Sequence, residues 1–248
     1  VKDGDTYVIN GQKVWTSAGH RARGCWLAAR TDPEAKKKHH GLSIFLVDMK
    51  SPGVTVRPLP TYFGLHSFNE VFFKDVRVPA AHLVGEENKG WYYLMQALAF
   101  ERGTSAEFAG TMRRLLEELV HYAKETGKIA NRGVRRQLAD TAVDLEALRL
   151  LAYESNWKMS KGLPAIYEGS RDKAYADTLF EKLSLVGTGI LGAYSQIDPM
   201  LQQKKWPEVF KAVGLCYCMT PGLSIAAGTT DIQRSIVGQF GLQLPKSY

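Results

Sequence analysis

The hydrophobic period of this sequence changes once, near Gly90, and that single change restricts what the chain can fold into. Before it, short β-prone runs at 6–9, 12–17, 25–29, 42–47, 54–56 and 71–78 alternate with turn signals, and Pro79 closes the series. Asn10-Gly11, between the first two runs, reads as a hairpin turn. After Gly90 the apolar residues recur every three or four positions. Phe108, Met112, Leu115, Leu119 and Tyr122 line one helix face, and Leu138, Ala142, Leu145, Leu148 and Ala152 line another. Further helical runs are expected at 171–185 and 230–240, the second followed by Pro245. Strands first and helices afterwards predict an α+β chain: a partial antiparallel β-domain over 1–82, then an antiparallel four-helix bundle over 83–248.

The β-part is thin for its strand content, since five or six strands in about 80 residues leave edges unpaired. Val1 stands directly before a turn and a strand, so further sequence is expected upstream. The 45% apolar and 23% charged content belongs to a folded chain rather than a disordered one. No run approaches the roughly 18 apolar residues of a membrane span. Three cysteines are too few for a disulfide framework, and no charged-then-apolar stretch opens these residues, so a cytoplasmic location is the expectation. The net charge of +7 favours anionic ligands such as nucleotides. Nucleic acid is not an expected partner, because the aromatics do not alternate with basic residues.

Several motifs point to chemistry that their surroundings do not support. Gly187, Gly189 and Gly192 spell G-x-G-x-x-G with Glu208 about twenty residues on, the dinucleotide-binding pattern. A charged segment at helical spacing precedes them where a buried strand is required, so a helix ending in a glycine-rich loop is the preferred reading. Cys216 and Cys218 form C-x-C rather than a zinc-type C-x-x-C and read as buried small residues; no metal site is expected. Lys36 to His40 reads as a solvated loop tip. Nucleophile-elbow, zinc-protease and Walker patterns do not occur.

Three other segments carry a family resemblance. They are Asn-Gly-Gln-Lys-Val-Trp-Thr-Ser at 10–17, Phe-Asn-Glu-Val-Phe-Phe-Lys-Asp-Val-Arg-Val-Pro at 68–79 with Leu-Val-Gly-Glu-Glu-Asn-Lys-Gly-Trp at 83–91, and Ala-Gly-Thr-Thr-Asp-Ile-Gln-Arg at 227–234. At these residues, in this order, the sequence resembles the acyl-CoA dehydrogenase family from residue 3 to about 244. Its tail, Leu242-Gln243-Leu244-Pro245, is similar to that of bacterial members.

The resemblance implies an FAD-dependent enzyme that desaturates an acyl-CoA thioester between its α and β carbons. A carboxylate removes the α-proton while the β-hydrogen leaves as hydride, so base and flavin flank the substrate. In many relatives the base directly precedes the Gly-Thr of the closing motif, where this chain has Ala227. The family's second position for the base precedes an Arg early in the first long bundle helix, and the match is Glu101 before Arg102, as in isovaleryl-type members. Trp15, Thr16 and Ser17 match the strand packed on the flavin, and Thr229, Thr230 and Asp231 match residues at its diphosphate and ribose. Gly228 and Arg102 fall at substrate-binding positions. Glu168, in Tyr-Glu-Gly-Ser at 167–170, imitates the catalytic motif but lies about sixty residues too early, and Ser170 reads instead as a helix N-cap.

The implied partners are an acyl-CoA substrate, an electron-transfer flavoprotein, and further subunits in a homo- or hetero-oligomeric dimer of dimers. The long helix around 135–160 supports the last expectation, since Leu150, Leu151 and Trp157 add a second apolar face. One departure is that the family's Arg-x-x-Phe-Gly is replaced at 122–128 by Tyr-Ala-Lys-Glu-Thr-Gly-Lys. That change, with Ala227, keeps open a second reading, a non-catalytic or half-site partner subunit of a heteromeric dehydrogenase. A nicotinamide enzyme resting on the glycine run is the third.

Overall fold

The computed structural model describes residues 1–101, 105–197 and 206–246. Two compact units divide the chain, Val1–Ala97 and Leu98–Tyr248. The first holds seven strands: β1 (Lys2–Asp3), β2 (Thr6–Ser17), β3 (Gly24–Arg30), β4 (Leu42–Asp48), β5 (Val54–Leu59), β6 (Phe68–Pro79) and β7 (Leu83–Val84). They form two antiparallel sheets, ordered β1-β2-β6-β5 and β3-β4-β7. Both sheets contribute to one core, with Tyr7, Ile9, Val71, Phe73, Val76 and Val78 from the first and Leu27, Phe45 and Val47 from the second. The Tyr7 and Phe45 rings meet with centroids 4.7 Å apart.

Asn10-Gly11 is not a hairpin turn; it lies within β2, which runs unbroken for 12 residues along β6. Ile9 faces Val76 and Gly11 faces Phe73, so β6 carries one residue more than β2 across this step. The bulge moves the buried set of β6 from 69, 71 and 73 to 76 and 78, which keeps both halves of the strand on the core. Asn10 is fastened to the bulge itself, donating from Nδ2 to Asp75 Oδ1 at 3.0 Å and accepting from the Asp75 N–H at 2.8 Å. Pairing with a distant strand overrides the local turn preference.

The described helices are α1 (Gly90–Glu101), α2 (Ser105–Glu125), α3 (Arg132–Ser160), α4 (Glu168–Leu191), α5 (Pro207–Leu223) and α6 (Thr230–Ile236). Four of them, α2 to α5, share a core of Met112, Leu115, Leu119, Leu138, Leu145, Leu148, Leu179, Leu183, Ile190, Val209 and Val213. The two sequence stripes lie on this core except for Ala142, which is exposed, and Ala152, which is buried outside it.

Three local expectations are corrected. Ser170 does not cap α4: the helix begins at Glu168, and the Ser170 hydroxyl is buried inside it. Gly187 and Gly189 continue α4 rather than forming a loop, and only Gly192, at φ +64°, ends the helix. A Cβ on Gly187 would lie 2.9 Å from Val213, so this glycine lets α5 approach α4. The closing run is α6 followed by a π-turn, Val237–Gly241. Helix α5 has no counterpart in the sequence reading, because an apolar run with Pro221 inside it shows no clean period.

Candidate functional site

In the first unit, the segment of interest is the end of β2. Lys13 faces Val71 and Thr16 faces Asn69, so here β2 carries the extra residue. Trp15 sits in this bulge at φ +61°, a left-handed conformation costing a non-glycine residue roughly 1–2 kcal/mol. Its indole is 66% exposed and touches the edge of Phe68, centroids 5.9 Å apart. The distortion is held from below by Asn69, which is fully buried and donates from Nδ2 to the Thr16 carbonyl at 3.0 Å. The same carboxamide meets His66 Nε2 through Oδ1 at 2.8 Å and His20 Nδ1 through Nδ2 at 3.3 Å, and the two imidazoles stack 3.9 Å apart. Ser17, opposite Phe68, is exposed.

In the second unit, α6 is entered through a left-handed turn, with Ala227 at φ +53° and Gly228 at φ +91°. Alanine tolerates this at a cost, whereas position 228 accepts only glycine, since a Cβ there would lie 2.6 Å from Gln233 Nε2. Thr229 is the N-cap, its hydroxyl accepting from the Ile232 N–H at 3.3 Å. Thr230 ties the turn to α4 by donating from Oγ1 to Asp177 Oδ2 at 2.7 Å. That carboxylate also receives Lys173 at 2.5 Å, and Lys173 in turn donates to the Leu223 carbonyl at 3.0 Å. The Asp231 side chain projects into solvent, 3.4 Å from Arg234.

Glu101 is the last residue of α1 and is exposed. Arg102 lies outside the described residues. Thus the structure brings 15–17 together at one strand end and 228–231 together at one helix start.

Glu168 occupies a different environment. It is buried at the head of α4, with Oε1 2.5 Å from Lys158 Nζ and Oε2 accepting from the Tyr167 N–H at 3.2 Å. Burial works to raise its pKa, but the Lys158 ammonium and the backbone N–H groups of Glu168 and Tyr167 outweigh it and hold the carboxyl below the usual carboxylate range. Lys158 also meets Glu154 at 3.1 Å, and Glu154 meets Arg171 at 2.8 Å, so the cluster ties α3 to α4.

The remaining motifs resolve into structure. Cys216 and Cys218 lie on α5, both half-buried, and burial pushes the Cys216 thiol up to about 11. The basic loop tip folds around Arg30, which donates to the Lys38 and His40 carbonyls at 2.7 and 3.0 Å. Among the described residues no His, Cys, Asp and Glu cluster has the makings of a metal site, and no helix is long and apolar enough to cross a membrane.

Sequence reasoning missed Asn69 and Gln233, the two buried carboxamides that hold these segments. The available signal was phase: Asn69 falls on the buried face with Val71 and Phe73, where a polar residue demands partners.

Residues 1–76, most of the strand unit, match the acyl-CoA dehydrogenase middle domain, and residues 88–242, most of the helical one, match the acyl-CoA dehydrogenase C-terminal domain. Acyl-CoA dehydrogenase IpdE1 of Mycobacterium tuberculosis is 33% identical over 248 residues, covering 98% of this chain and 61% of the relative. Among solved structures, the Tcur3481-Tcur3483 steroid ACAD superposes with a TM-score of 0.91 at 32% identity, covering 99% of this chain and 63% of that one. The ChsE4-ChsE5 complex from Mycobacterium tuberculosis gives 0.86 at 30% identity, covering 99% and 64%. The chain belongs to the acyl-CoA dehydrogenase family. It spans about three-fifths of the length of these relatives.

Proposed function

We propose that this chain carries the middle and C-terminal parts of an FAD-dependent acyl-CoA dehydrogenase that passes its electrons to an electron-transfer flavoprotein. The observation that carries this reading is the Trp15 bulge, an exposed indole in a costly backbone conformation fixed by a fully buried carboxamide. Strain of this kind clusters at ligand-binding sites. The residues present fit the cofactor: Trp15 offers an aromatic face, Ser17 an exposed hydroxyl, and the turn before α6 the Gly228 and Thr229 N–H groups, which have no protein acceptor among the described residues.

Bound FAD supplies a hydride acceptor. In this reading Glu101 takes the α-proton of the thioester, with Arg102 and Gly228 at the substrate. Trp15, Thr16 and Ser17 support the flavin. Thr229 and Asp231 serve its diphosphate and ribose, and Thr230 ties their turn to Asp177. Ala227 has no group that accepts a proton, so in this reading Glu101, at the family's other position, is the base.

A second reading, a half-site subunit of a heteromer, is favoured by the relatives titled as two-protein assemblies. An exposed apolar stripe on α3, formed by Val143, Leu150, Tyr153 and Trp157, supports further subunits in either case. One experiment separates the two. The full-length protein, purified alone, is mixed anaerobically with a panel of acyl-CoA thioesters that includes a steroid side-chain thioester. Bleaching of a bound flavin supports the enzyme; a protein that stays colourless until a second subunit is added supports the half-site.

A further inference from the structure

The Gln233 side chain has no exposed surface, yet it belongs to a helix of only seven residues. Its Nε2 donates twice, to the Ala227 carbonyl at 2.9 Å and to the Gly228 carbonyl at 3.1 Å. These two carbonyls fix the orientation of the amide, since the flipped amide would set Oε1 against two other oxygens. Oε1 is buried with no hydrogen-bond partner among the described residues. A trans peptide points its C=O and the following N–H in opposite directions. Drawing both carbonyls onto Gln233 therefore turns the N–H groups of Gly228 and Thr229 away from it. Neither N–H has a protein acceptor among the described residues.

We propose that Gln233 is a positioning residue: by gripping the Ala227 and Gly228 carbonyls it aims the Gly228 and Thr229 N–H groups for cofactor and substrate. This rests on the FAD-dependent reading above. Without the grip, Ala227 leaves its left-handed conformation at a gain in local energy and the two donors swing with the peptide planes.

The test uses the full-length protein with Gln233→Met, which keeps length and removes the donors, and Gln233→Glu. Three quantities are measured: FAD affinity by titration of the apoprotein, flavin reduction by acyl-CoA, and amide exchange over 224–233. For Gln233→Met the expected result is an FAD affinity about tenfold or more weaker, slower reduction, and faster exchange at 228 and 229. Gln233→Glu has its own signature. Its acid form keeps one O–H donor and its ionised form none, so its FAD affinity falls relative to wild type as pH rises. The melting temperature is followed over the same pH range, and an affinity loss no larger than the loss of folded protein marks a merely structural role and overturns the inference. Wild-type affinity and reduction rate in Gln233→Met, or a pH-independent deficit in Gln233→Glu, overturn the inference alone. A wild-type protein that binds no FAD overturns the functional reading and the inference with it. If Gln233→Met does not fold, the pH profile of Gln233→Glu decides.

Discussion

Asn69 donates to the main-chain oxygen of Thr16 at 3.0 Å from a side chain that no water reaches, and in doing so fixes the residue that follows the Trp15 bulge. Because His20 and His66 share the same carboxamide, the bulge and the imidazole stack form one polar unit. Removing Asn69 leaves the half-buried Thr16 carbonyl without its donor, whereas the exposed imidazoles turn to water. Asn69→Ala is therefore expected to lower the unfolding free energy by about 1–3 kcal/mol in urea titrations. Asn69→Asp is expected to be worse, since an acceptor then faces the Thr16 carbonyl. An Asp variant as stable as wild type would contradict the assignment of Nδ2 to Thr16.

Adjacent residues in the turn before α6 predict opposite signs. Ala227→Gly relieves a left-handed alanine and is expected to be neutral or to stabilise by up to about 1 kcal/mol. Gly228→Ala drives a Cβ to 2.6 Å from Gln233 Nε2 at a φ of +91° and is expected to cost about 2 kcal/mol or more. Thermal unfolding of the two variants, measured side by side, checks the pair. Equal effects would mean that the turn is not held as described.

Much of this architecture is legible in the sequence, because burial imposes period two on β2 and β6 and period 3.6 on α2 and α3. What escaped was decided by distant partners. Asn10-Gly11 favours a turn in isolation, but β6 supplies a 12-residue ladder and a bulge that absorbs the glycine. Gly187 looks like a loop residue until Val213 of α5 is packed against it. The site divides the same way. The motifs at 15–17 and 228–231 were visible as patterns, whereas Asn69 and Gln233 act on carbonyls whose directions exist only in the fold.

Glu168 tests the distinction between a catalytic-looking motif and a structural one. Its folded pKa lies below the unfolded value of about 4.3, so its contribution to stability is present above that pH and is lost as pH falls through the folded pKa. Glu168→Gln leaves Lys158 without its most buried partner and is expected to cost about 2–4 kcal/mol at pH 7. Its melting temperature should fall less steeply than that of wild type as pH drops below about 4. The turnover rate of the full-length enzyme, measured at a temperature where the variant is folded, should stay within a few-fold. A much larger rate loss in the folded variant would return Glu168 to the list of candidate bases.

Glu101 carries the opposite expectation. Thioester desaturation needs a carboxylate at the α-carbon, and the position that supplies it in many relatives holds Ala227, which has no proton acceptor. The other family position matches Glu101, an exposed residue at the end of α1. Glu101→Gln keeps size and polarity but removes basicity. Flavin and ligand binding should survive while kcat falls by roughly a hundred- to ten-thousandfold in the full-length protein. Adding Ala227→Glu to this variant should restore part of the rate, because the family uses both positions to reach the same carbon. Stopped-flow reduction of the bound flavin by acyl-CoA reads the step directly. A Glu101→Gln enzyme that reduces its flavin at the wild-type rate would remove Glu101 as the base and move the weight to the half-site reading.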